Sequence, residues 1–193
     1  MKKLWILVAA VLLAVSMTAC SAAPSAPAEP TPEPVKIESA LELLNTVWAG
    51  YADEDKFSAA GGDFNEENMT MDAPGKFGVE DAEALDATLG LPQDKAAAID
   101  DAASLMHMMN ANTFTCGAFR VKSGEDMAAF TTALENSIMS RQWMCGFPET
   151  LIIYTVDSYV VSAFGNGEII DTFEGYLTSA YEGAAVVCDK PIA

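Results

Sequence analysis

Histidine is nearly absent from this chain: His107 is the only one in 193 residues. That excludes zinc sites built from several histidines and leaves any histidine-dependent triad a single choice of base. Basic residues are scarce too, 10 against 28 acidic, giving a formal net charge of −18. Such a surface repels nucleic acid and anionic headgroups, so no nucleic-acid partner is expected. Glycine-rich phosphate fingerprints are missing: Gly165-Asn166-Gly167 could offer amides to an anion, but no lysine lies nearby and a tight turn is the simpler expectation. Apolar runs long enough to span a bilayer comfortably are also missing.

One shorter apolar run is present, and it sits at the N-terminus. Lys2 and Lys3 precede an uninterrupted apolar stretch over residues 4–15, followed by Met17-Thr18-Ala19-Cys20. Charge, run length and small residues before a cysteine make a signal peptide over residues 1–19. The motif resembles the lipobox of bacterial lipoproteins, with Met17 where leucine is usual. The resemblance implies cleavage before Cys20, a diacylglyceryl group on its thiol and a palmitate-type acyl chain elsewhere on the same residue. Two or three chains on one residue hold a protein stably on a membrane. Residues 20–35, rich in Pro and Ala, lack apolar periodicity and read as an extended tether. Residues 36–193 are then one acidic domain of ordinary size. Removing Lys2 and Lys3 with the signal leaves eight basic against 28 acidic residues, a formal −20 before termini.

Periodicity sets the expected elements. Ile37, Leu41, Leu44, Trp48 and Tyr51 recur at helical spacing, with the helix ending near Gly50. Residues 57–72 are poorly periodic, with one short strand at most. Residues 79–89 make a second helix closed by Gly90, and a helical turn follows Pro92. Residues 102–109 and 112–122 are candidate strands. Ser123 caps the next helix, with Asp126 as its capping-box acid; Met127, Phe130, Leu134 and Ile138 mark its buried stripe, and Gly146 and Pro148 end it. Residues 150–156 and 159–164 form a hairpin across Asp157-Ser158. A last helix buries Ile169, Phe173, Tyr176 or Leu177, and Ala180. This order predicts an α+β fold, an antiparallel sheet with helices packed mainly on one face.

Several segments carry a family resemblance: residues 89–92 (Leu-Gly-Leu-Pro), Met108-Met109-Asn110, residues 118–123 (Ala-Phe-Arg-Val-Lys-Ser) and Tyr159-Val160-Val161. The stretch from about residue 85 to 181 resembles a family of small lipoproteins from clostridia and related Firmicutes, classified only as a domain of unknown function. The resemblance implies an extracytoplasmic α+β lipoprotein with a lipobox and an acidic, Pro-rich tether. It implies no activity.

Candidate chemistry is sparse. Met106, His107, Met108 and Met109, with Cys116 a few residues on, offer soft ligands of the kind that suits Cu(I). On a strand, Met106 and Met108 share one face and His107 and Met109 the other. A Met-rich core strand is the alternative. Cys116, Cys145 and Cys188 are an odd set, so at least one has no internal partner. Three pairings are open, with Cys145 and Cys188, both expected in mobile segments, as a candidate disulfide. A cysteine nucleophile with His107 as base is conceivable, but no local signature supports it, and no catalytic residue is assigned. Residues 63–68 (Asp-Phe-Asn-Glu-Glu-Asn) alternate oxygen ligands, without the glycine and distal glutamate of a calcium loop. Tyr154, Tyr159, Tyr176 and Tyr181 are candidate contact residues, half or more of them expected in the core.

The sequence therefore points to a lipoprotein anchored by Cys20 on the outer face of the cell membrane, carrying a non-catalytic binding module. No cofactor is expected beyond the covalent lipid. The expected ligand is a protein, a peptide or an envelope component. The alternatives are an envelope enzyme using a cysteine thiol and a copper-binding lipoprotein.

Overall fold

Ser39 starts the folded part by capping the first helix: its hydroxyl accepts from Glu42 N at 3.0 Å. Asp101 reinforces that end, accepting from Ala40 N at 2.7 Å. Helix α1 (Ala40–Gly50) buries Ala40, Leu43, Leu44, Val47 and Trp48. The computed structural model describes residues 36–63 and 65–192. The signal segment, Cys20 and the Pro-rich stretch lie outside the described residues, as do Phe64 and Ala193.

Three short strands follow: β1 (Ala59–Gly61), β2 (Thr70–Met71) and β3 (Gly75–Lys76). The region expected to hold one short strand thus holds β1 and β2. A Cβ on Gly61 would stand 2.1 Å from Gly75 N, so both positions are held to glycine by backbone approach. Helix α2 (Ala82–Ala84) runs into a π turn (Leu85–Leu89), which Gly90 closes at φ 78°. A 3₁₀ turn (Gln93–Ala98) follows Pro92. Strands β4 (Ile99–His107) and β5 (Phe114–Val121) are joined through a second 3₁₀ turn (Ala111–Thr113).

Helix α3 (Met127–Met139) buries Phe130, Thr131, Leu134 and Ile138. Its cap is Asp126, which accepts from Ala129 N at 3.0 Å; Ser123 lies three residues too early. The helix ends at Met139, ahead of the Gly146 and Pro148 expected to stop it. Strands β6 (Thr150–Val156) and β7 (Tyr159–Gly165) form the expected hairpin, and Asp157 takes the positive φ, 58°, that a glycine would supply. Helix α4 (Gly167–Ala180) buries Ile170, Phe173 and Leu177. The final segment, expected as a tail, is an edge strand, β8 (Ala185–Pro191), paired with β6.

The sheet is antiparallel throughout, in the order β2-β1-β4-β5-β7-β6-β8, with β3 also on β4. The expected α+β class and antiparallel sheet are present. The helices, expected mainly on one face, are divided between both. On one face α1 and α4 pack over Leu105, Phe114, Cys116, Ile152, Tyr154 and Val161. On the other the π turn and α3 pack over Ala102, Phe119, Leu151, Ile153, Val160 and Phe164. Successive strand residues point to opposite faces, so strands apolar at every position must be covered twice. Residues 151–154 and 159–161, buried without a gap, meet that condition.

Candidate functional site

Two connections meet at one end of the sheet: residues 108–113 after β4, and residues 140–148 after α3. Side-chain amides tie them together. Asn110 Nδ2 donates to the Cys145 carbonyl at 3.1 Å, and Asn112 Nδ2 to the Gly146 carbonyl at 3.0 Å. Arg141 fixes the start of the second loop. Its guanidinium donates to the carbonyls of Asp86 and of Ala87, the latter at 3.1 Å, and lies 3.7 Å from the Asp86 carboxylate. Burial lowers its pKa, and Asp86 works against that. Trp143 then turns inward onto Phe164, ring centroids 5.2 Å apart, with Arg141 above its ring.

This arrangement leaves an open groove of about 420 Å³ lined by Ala87, Asn112, Arg141, Trp143, Met144 and Cys145. Large apolar side chains on the two loops stand in water: Met144, which lines the groove, is 84% exposed, Phe147 78% and Met109 77%. Exposed apolar side chains gathered in one region mark interaction sites. The sequence singled out Met109 and Cys145 for other roles and missed Met144 and Phe147. The two loops that carry them are joined by the Asn110 and Asn112 bonds, which span 35 and 34 residues.

The soft-ligand set proposed around His107 is divided by the sheet. Met106 pairs with Thr115, whereas Cys116 pairs with Leu105 on the opposite face. Cys116 is fully buried, and burial pushes its thiol far up, against thiolate formation. His107 shares the Cys116 face, stacks on Phe57 at 5.6 Å and accepts from Met109 N at 3.3 Å. Met108 and Met109 are exposed. Among the described residues no three His, Cys, Asp or Glu side chains gather as a metal-binding group. All three cysteines are free thiols, the candidate pair included: Cys145 is exposed and Cys188 buried in β8. Burial and the neighbouring Glu135 push the Cys188 thiol up to about 11.

The acidic loop satisfies itself. Asp63 is buried and accepts from Asn65 N at 2.9 Å, Asn68 Nδ2 at 2.9 Å and Gly78 N at 3.0 Å. Its burial would raise the carboxyl pKa; the bonds from Asn68, Asn65 and Gly78 outweigh that and hold it below the ordinary value. Those oxygens face N–H donors, the arrangement of a structural turn. The helix N-terminus after Gly165-Asn166-Gly167 is likewise occupied from within: Gly167 N donates to Glu149 Oε2 at 2.9 Å. Of the four tyrosines, Tyr154, Tyr159 and Tyr181 are buried. Tyr176 is half-buried, donating to Asp55 at 2.7 Å and accepting from Ala52 N at 3.0 Å.

Among the described residues no helix is long and apolar enough to cross a membrane. Comparison with protein-family models, with curated proteins and with solved structures finds no match.

Proposed function

We propose that this chain is a lipid-anchored extracytoplasmic binding module, held on the membrane by Cys20 and engaging a protein or peptide through the loops around the groove. The anchor rests on the N-terminal sequence: two lysines, an apolar run, and small residues before Cys20. The likeness to clostridial lipoproteins rests on sequence segments alone and agrees with it.

One observation carries the binding role. Met144, Phe147 and Met109 are exposed on two loops that side-chain amides pin at their backbones. A fixed backbone presenting flexible thioethers and an aromatic ring suits an adaptable apolar contact. The folded unit begins at Lys36. There the Ile37 and Glu38 carbonyls accept from Tyr159 and Arg120, at the end of the sheet away from the groove.

Anchoring is tested by metabolic labelling with an alkyne fatty acid. The wild-type chain should take the label and sediment with membranes, and Cys20→Ala should do neither. Labelled Cys20→Ala, or unlabelled wild type, contradicts the anchor. Binding is tested with Met144→Asp/Phe147→Asp, which should keep the wild-type melting temperature and lose the partner recovered by crosslinking on intact cells.

A further inference from the structure

The sheet face that carries α3 is covered only in part. One cross-strand row on it runs Met71, Ala60, Met106, Thr115, Phe164 and Leu151. The helical layer and Trp143 cover the half at Phe164 and Leu151. At the other half Met71 is 57% exposed, and Ala60 and Met106 are half-buried.

Directly paired residues of an antiparallel ladder share a face. Ala60 pairs with both Met71 and Met106, so the two thioethers stand on the same side, astride a single methyl group. Neighbouring strands lie about 4.8 Å apart, which puts the two Cα atoms about 10 Å from each other. Met108 belongs to the same group. Its N–H donates to the Ser58 carbonyl at 2.9 Å, extending the β1–β4 ladder by a step, and two residues beyond Met106 restores the same face. Met108 is 44% exposed. Methionine has three rotatable bonds, so all three sulfurs can converge over Ala60.

We infer that Met71, Met106 and Met108 form a three-thioether site for a soft monovalent cation, Cu(I). Thioethers select such ions, and neutral ligands need no deprotonation to bind them. The site opens to solvent, and the acidic exterior favours cation approach. It is a different ligand set from the one the sequence suggested: Cys116 and His107 lie on the other face, and Met71 enters only through the strand register. Its ligands do not include Met144 or Phe147, so its failure would leave the proposed binding role untouched.

The test is anaerobic titration of the detergent-solubilised full chain with Cu(I) against a chromogenic chelator, after capping exposed Cys145 with iodoacetamide. The wild type should withdraw one Cu(I) per chain. Met71→Leu/Met106→Leu should weaken binding at least tenfold, while His107→Ala and Met109→Leu/Met144→Leu should not. Ag(I), a diamagnetic substitute, should shift the methyl resonances of Met71, Met106 and Met108 in the wild type. No Cu(I) withdrawn, equal affinity in Met71→Leu/Met106→Leu, loss of binding in His107→Ala, or methyl shifts elsewhere would overturn the site.

Discussion

Asp63 holds three donors from three separate positions. Asp63→Ala removes the shared acceptor of three part-buried bonds and should cost about 1.5 kcal/mol at neutral pH, read by urea denaturation. The pH dependence follows from the sign of the shift. A carboxyl held below its ordinary pKa contributes stability above that pKa and loses it as pH falls through the folded value. The gap between wild type and Asp63→Ala should therefore narrow on acidification below about pH 3.8, the ordinary value. A gap unchanged from pH 7 to pH 2 would contradict the charged role. The cysteines give a second residue-level expectation. Of Cys116, Cys145 and Cys188, iodoacetamide should label only Cys145 in the folded protein, with the other two reacting on unfolding. Prompt labelling of either buried thiol would be inconsistent with its burial. Sequence showed three cysteines that could pair three ways; exposure separates them, and exposure is a property of the packed sheet.

At the scale of elements, α3 shows where local signals hold and where they fail. Its buried stripe at Phe130, Leu134 and Ile138 was readable from spacing alone. Its start was misplaced because Ser123 and Asp126 are both good caps, and only the backbone decides between them. Asp126→Ala should cost about 1 kcal/mol and Ser123→Ala a few tenths at most, measured as shifts in urea midpoint. Equal costs would return the cap to Ser123. Its end was misplaced because Arg141 leaves the helix to satisfy carbonyls 55 residues earlier, a partner invisible to local pattern. The central strands carry a signal of two-sided cover. Residues 151–154 and 159–161 are apolar without alternation, which already implies cover on both faces. β8 is the harder case: paired to β6 at the sheet edge, it contains Lys190 and Pro191, residues that blunt an edge against further pairing and make the segment look like a tail.

For the whole molecule, address and activity were legible to different degrees. The proposed anchor at Cys20 rests on a linear pattern, which sequence alone displays. The proposed binding surface, made of loops from two distant parts of the chain, is not written in that way. The sheet brings residues 108–113 and 140–148 together, and the chain enters at the opposite end through Lys36. Met144→Asp/Phe147→Asp should change stability by no more than about 0.5 kcal/mol, as for exposed sites away from caps and core. Site-specific photocrosslinking on intact cells tests the central claim most directly. With the photoreactive residue at Met144, the account predicts a discrete adduct, absent when it is placed at Thr178 on the exposed side of α4. The same adducts from both positions, or none from Met144, would contradict a binding module that works through these loops.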